Sequence, residues 1–237
     1  MGSIGSNLQE VKRRIAAACD SAGRAANSVT MLAVSKTFGA DAVRQALASG
    51  QQAFGENYVQ EALAKIEALA DVRAQLQWHF IGPLQSNKTR AVAEAFDWVH
   101  SVDRLKTAQR LAAQRPAWLP PLNLCLQVNI SGEASKGGVA PADLTALAQA
   151  VAALPSERVR LRGLMSVPAA AIGAAAQRAP HQELRQLLYG LQASGLDLDT
   201  LSMGMSDDLE AAVAEGATLV RVGSAVFGRR AAPNPGP

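Results

Sequence analysis

The 237-residue chain is 49% hydrophobic and 18% charged, which supplies one sizeable core and fits one domain of the larger kind. Its net charge of +3 is spread over many segments, and only 4% of its residues are aromatic, which argues against the basic stripes and stacking platforms of nucleic-acid binders. No run of about 18 apolar residues crosses a bilayer, the polar start "MGSIGSNLQEVKRRIAAACD" predicts no secretory signal, and Cys19 and Cys125 stand alone; a reducing, cytoplasmic setting is expected, without membrane, disulfide framework or zinc.

A first helix is predicted over residues 8–26. Short β-rich runs then alternate with Ala/Leu-rich segments of helical period. The strands are placed at 29–35, 52–55, 77–82, 98–102, 122–130, 159–167, 200–203 and 219–222, and the helices at 40–49, 57–70, 86–95, 104–114, 142–153, 176–193 and 207–214. Each crossover is long enough to return the chain in parallel, so the sheet is parallel with helices outside. Eight such units predict an α/β fold, a single (β/α)8 TIM-like barrel over residues 1–230, with the surplus first helix assigned to the barrel's bottom. The end of "RRAAPNPGP", residues 231–237, is expected to be a disordered tail.

The active face of such a barrel is built at the C-terminal ends of its strands, so the polar residues there carry the chemistry. Strand one ends in Ser35-Lys36, strand two runs into "FGENYVQE", strand seven into "LSMGMSDD", and strand eight holds "VRVGSAVFG". Barrels frequently bind a phosphate with the loops after strands seven and eight. Ser206 reads as the N-cap of the following helix, serving either that cap alone or an anion as well; Gly223 and Ser224 repeat the pairing of close backbone approach with a hydroxyl. Their joint occurrence favours a phosphate, provided that Asp207 and Asp208 point away. Arg221, in an apolar strand, either faces the interior and needs a polar partner or snorkels outward between helices.

Lys36 either reaches solvent or stands inside this site. Burial and neighbouring positive charge yield the neutral amine that condenses with an aldehyde, and the cofactor carrying both aldehyde and phosphate is pyridoxal 5′-phosphate. His79 reads as a core or strand-end histidine, and Glu56 and Asn57 as ligand-facing groups, with Asn57 equally able to cap the next helix.

The block "WHFIGPLQSNKTRAV", residues 78–92, resembles the signature of the pyridoxal phosphate homeostasis proteins, the YggS or PROSC family. "AVSKT" around Lys36, "FGENYVQE", "GLMSVP" and "LSMGMSDDLEAAVAEGATLVRVGSAVFG" are similar to its other blocks, in the right order from about residue 29 to 228. The resemblance implies a fold-type III barrel like the N-terminal domain of alanine racemase, with pyridoxal phosphate joined to Lys36 as a Schiff base. It also implies Arg221 at the pyridine nitrogen, Ser206, Gly223 and Ser224 on the phosphate, and Asn57, His79 and Ser202 near the pocket. Lys136 in "SGEASKGG" matches as an auxiliary position.

An arginine at the ring nitrogen leaves the ring a poorer electron sink than a carboxylate would. A racemase of this fold also needs a second acid/base, which its relatives take from a tyrosine of an added β-domain; here Tyr58 and Tyr189 fall within predicted helices. The expectation is therefore a monomeric, non-enzymatic carrier or regulator of pyridoxal phosphate that serves apoenzymes. The competing reading is an amino-acid racemase using Lys36 and His79.

Overall fold

The computed structural model describes residues 2–133 and 136–228, so the tail expected over 231–237 lies outside the described residues. Eight short strands form the sheet: β1 (Thr30–Val34), β2 (Ala53–Glu56), β3 (Gln77–Phe80), β4 (Trp98–Val102), β5 (Leu122–Gln127), β6 (Val159–Met165), β7 (Thr200–Ser202) and β8 (Leu219–Val222). Each pairs in parallel with the next, and β8 pairs back onto β1 to close the barrel. Both faces of these strands are covered, which is why they read as nearly continuous apolar runs.

The helices are α1 (Ile4–Ser21), α2 (Ala40–Ala48), α3 (Val59–Ala68), α4 (Thr89–Ala95), α5 (Leu105–Gln114), α6 (Leu144–Ala152), α7 (Ala174–Ala193), α8 (Leu209–Ala214) and α9 (Ser224–Phe227). One follows each strand, and α1 precedes them all. The predicted first helix, 8–26, is displaced toward the N-terminus: the Ser3 hydroxyl accepts the Ser6 amide at 3.2 Å to start it, and Gly23, at φ 65°, turns the chain after its end.

α1 borders the bottom of the barrel through Lys12 and Ile15, which line the cavity there, but most of its packing is lateral. It packs in the outer ring against α2, α8 and α9. The reason lies in α9, which is only four residues long and leaves the flank of β8 and β1 bare. Leu8, Val11, Ile15 and Ala18 of α1 fill that place, in one core cluster with Val29, Met31 and Ala33. Polar bonds fix the placement: Asn7 Nδ2 donates to the Val226 carbonyl at 2.9 Å, and Arg24 to the Val213 and Ala217 carbonyls at 2.7 and 2.8 Å.

Strand parity sorts the remaining residues. Register places Leu32 beside Arg221, Gly55 beside His79, and Met165 beside Ser202, all facing inward. The interior is therefore not one apolar core. Leu32, Ala53, Leu219 and Ile81 form one small cluster and Trp98, Cys125 and Met165 another, with polar side chains between them. A register shift between β5 and β6 accompanies Arg162, whose guanidinium lies 4.8 Å over the Trp98 ring and donates to Asp199 and Asn123.

Gly163 sits just past that irregularity, and a Cβ there would lie 1.9 Å from the Thr200 carbonyl oxygen. The obstacle is backbone of the β6–β7 ladder and cannot rotate aside. Gly163→Ala is expected to lower stability by about 3 kcal/mol, the upper part of the overpacking range, read as a fall in the urea midpoint. An unchanged midpoint would mean that the ladder opens there without cost.

Candidate functional site

At the C-terminal ends of the strands lies a cavity of about 580 Å³. Its polar lining includes Lys36, Asn57, Ser206, Arg221, Gly223 and Ser224, and Val34, Phe38, Ile81, Val167 and Met205 supply apolar walls. Alternation along the strands explains the convergence. Lys36 follows Leu32 and Val34 on the inner side of β1, as Gly223 follows Leu219 and Arg221 on β8. At Gly223 a Cβ would press to 3.3 Å on the Val34 carbonyl, so glycine keeps this wall thin.

Ser206 reaches the cavity, but it does not cap α8. That helix begins at Leu209 with Asp208 at its N-cap. The Asp208 carboxylate turns back instead of into the helix, accepting the Met205 amide at 2.6 Å and meeting His181 Nε2 at 3.0 Å. Burial pushes the Asp208 carboxyl up, but the bonds from His181 and Met205 outweigh it and hold it below the ordinary value. Of the two acids that would oppose an anion, Asp208 is thus turned aside, while Asp207 stays on the cavity lining. Tyr58 likewise stands at the N-cap of α3 and not within a helix.

Arg221 faces inward and is buried. It donates from Nη1 to the Ser202 carbonyl and hydroxyl at 2.6 and 2.9 Å and from Nη2 to the Ser166 carbonyl at 2.8 Å. Burial lowers its pKa to about 10, still charged at neutral pH. Three donated bonds out of five N–H groups leave donors for the cavity that Arg221 lines.

Ser202 and His79 do not belong to the described lining; they stand behind it. The Ser202 hydroxyl lies 2.8 Å from His100 Nδ1, His100 Nε2 2.9 Å from His79 Nδ1, and His79 Nε2 3.0 Å from Gln77 Oε1. Burial lowers the His79 pKa to about 3; burial first, then the nearby His79 and Arg221, hold His100 well below its ordinary value, so both rings are neutral. Gln77 in turn lines a larger cavity, about 870 Å³, at the opposite end of the barrel. His100 escapes sequence reading because "WVHSV" shows no face until its register is known; only its parity with Trp98 carries a signal.

A second polar cluster flanks Lys36. Lys65 Nζ lies 2.5 Å from Glu56 Oε1 and 3.2 Å from Glu61 Oε1, and donates to the Ser35 carbonyl at 2.8 Å. The Ser35 hydroxyl donates to Glu56 at 2.6 Å and the Thr37 amide to Glu61 at 2.5 Å. The residues on both sides of Lys36 are therefore held by one cluster from β2 and α3. Thr37 is the single non-glycine with positive φ among the described residues, at 70°, an unfavourable conformation for a β-branched residue that the surrounding bonds maintain. Glu56, read from sequence as ligand-facing, is spent in this cluster; burial raises its carboxyl pKa, against the pull of Lys65 and Ser35.

The family model described as alanine racemase, N-terminal domain, matches residues 6–231. A pyridoxal phosphate homeostasis protein of Pseudomonas aeruginosa is 61% identical over 230 residues, covering 97% of each chain. The chain belongs to the pyridoxal phosphate homeostasis protein family. Within it, the structure of PipY from Synechococcus elongatus with pyridoxal phosphate bound is 40% identical, with a TM-score of 0.82 over 95% of this chain and all of that one. Alanine racemase from Corynebacterium glutamicum, 16% identical with a TM-score of 0.65, covers 96% of this chain but shares only the fold; this chain spans 63% of its length. No helix among the described residues is long and apolar enough to cross a membrane.

Proposed function

We propose that this chain binds pyridoxal 5′-phosphate in the cavity at the strand ends and acts in the homeostasis of that cofactor, without turning over amino acids. The observation that carries the reading is the meeting of Lys36 with Arg221, Ser206, Gly223 and Ser224 in one cavity, in a chain 61% identical to a pyridoxal phosphate homeostasis protein. The residues fit the group. Asn57 Oδ1 is buried without a hydrogen-bond partner among the described residues, Arg221 keeps donors for a ring acceptor, and the Ser206 and Ser224 hydroxyls on the same lining offer donors suited to a phosphate.

In this reading the Lys36 amine condenses with the cofactor's aldehyde, and water leaves. Arg221 orients the ring through its nitrogen, and Ser206, Ser224 and the Gly223 backbone hold the phosphate. When bound, the cofactor supplies an electron sink, and an arginine at its nitrogen weakens that sink. Tyr58 and Tyr189 are exposed, and His79 and His100 are occupied with each other behind the lining, so no tyrosine or histidine stands beside Lys36 as a second acid/base among the described residues lining the cavity; the one carboxylate there is Asp207. Recipient apoenzymes, a monomeric state and a cytoplasmic setting belong to the same proposal.

Borohydride treatment of the protein loaded with pyridoxal phosphate, followed by peptide mass mapping, tests the binding half. The label is expected on the peptide containing Lys36. Incubation with L- and D-alanine in deuterated water tests the other half, with no α-proton exchange above the rate of free cofactor expected. Exchange at enzymatic rates would establish a catalyst instead.

A further inference from the structure

We infer that His100 is a positioning residue for the cofactor ring, acting through the Ser202 hydroxyl on Arg221. The inference rests on the reading that pyridoxal phosphate lies against Arg221.

The geometry sets the direction of every bond from Arg221 through Ser202, His100 and His79 to Gln77. An arginine only donates, so the Nη1 contact of 2.9 Å makes the Ser202 oxygen an acceptor. The Ser202 proton then points to the other neighbour, His100 Nδ1, at 2.8 Å. A neutral imidazole accepting at Nδ1 carries its proton on Nε2, so His100 donates to His79 Nδ1 at 2.9 Å. By the same rule His79 carries its proton on Nε2 and donates to Gln77 Oε1 at 3.0 Å. The four bonds run one way, from Arg221 to Gln77, and each places an acceptor toward the guanidinium.

This arrangement stands in for a counter-ion. Among the described residues no carboxylate bonds the Arg221 guanidinium; its direct partners are two carbonyls and one hydroxyl. A hydroxyl rotates freely unless its proton is claimed. His100 claims it, and so fixes the Ser202 lone pairs on Nη1 and the guanidinium plane against the cavity. His79 stacks at 5.3 Å on Trp98 and fixes the His100 tautomer in turn.

The test uses full-length His100→Leu, His100→Asn, Ser202→Ala and the His100→Leu/Ser202→Ala double variant, each loaded with pyridoxal phosphate. The readouts are the absorption maximum of the lysine-bound cofactor and its dissociation constant. His100→Leu and Ser202→Ala are each expected to bind about ten-fold more weakly, near 1.4 kcal/mol, with the same displaced absorption maximum. His100→Asn, whose carbonyl oxygen can accept the Ser202 proton, is expected to restore both values. The double variant is expected to be no worse than the worse single one, because both act on one bond. Should His100→Leu fail to fold, the small Ser202→Ala change and the His100→Asn rescue still decide. Wild-type spectra and affinity in Ser202→Ala, no rescue by asparagine, or additive losses in the double variant would overturn the inference. A wild-type protein that traps no cofactor at Lys36 would overturn the binding reading itself.

Discussion

Lys36→Ala is expected to abolish the borohydride-trapped label on the strand-one peptide and the visible absorption of the loaded protein. Lys36 is the only lysine among the described residues lining the strand-end cavity, so no neighbouring amine can take its place there. Arg221, Ser206 and Ser224 remain, and the cofactor is expected to bind reversibly through ring and phosphate, removable by dialysis. Lys36→Arg separates charge from covalency. It keeps a cation at the same point, but a guanidinium stays protonated and offers no nucleophilic nitrogen, so its spectrum should match the alanine variant. A Lys36→Ala protein that still yields a labelled peptide from within the cavity would remove Lys36 as the anchor.

Lys65→Met is expected to cost about 3–5 kcal/mol of stability, the range for removing one partner of a buried ion pair. The substitution preserves most of the side-chain volume but strips Glu56 of its cation, with Glu56 fully buried. The pH dependence has a definite sign. Burial already raises the Glu56 pKa above 4.5, and loss of Lys65 raises it further. A carboxyl raised in the folded state is tolerated below its unfolded value and costs stability as pH rises through its folded value. The deficit measured by urea unfolding should therefore be smallest below about pH 4.5 and grow as the pH rises above it. A deficit independent of pH would show that packing, not the stranded carboxylate, sets the cost. The variant should also load cofactor more slowly, because the Ser35 carbonyl loses its donor and Glu61, which holds the Thr37 amide, loses its neighbour.

The sequence made the barrel legible because its strands and helices differ in period, and because eight alternations leave little else to build. The cavity residues were legible for a related reason: Lys36, Arg221 and Gly223 sit at strand ends, where the fold places chemistry. Orientation across the sheet was not. Arg221 and His100 lie in runs buried on both faces, so nothing in the local pattern separates inward from outward. Lys65 reads as a polar residue of an amphipathic helix, and only the carboxylates of β2 and α3 around it explain its burial. Ser206 had the chemistry of a cap, but Asp208 stood closer to the helix and took the position. The place of α1 depended on the shortness of α9, a four-residue turn that no periodicity announces.

That substitution of one helix for another ties the two ends of the polypeptide together during synthesis. The partners of α1 and of Arg24 just after it, the Val226 carbonyl and Glu210 carboxylate for the helix and the Val213 and Ala217 carbonyls for Arg24, follow them in the chain by roughly 190 residues or more. Until they leave the ribosome, the amphipathic face of the nascent first helix has nothing to cover it, and the wall between the first and last strands stays open. Closing that wall therefore waits on contacts of very long sequence separation, the kind that form slowly in folding and leave apolar surface uncovered in the meantime.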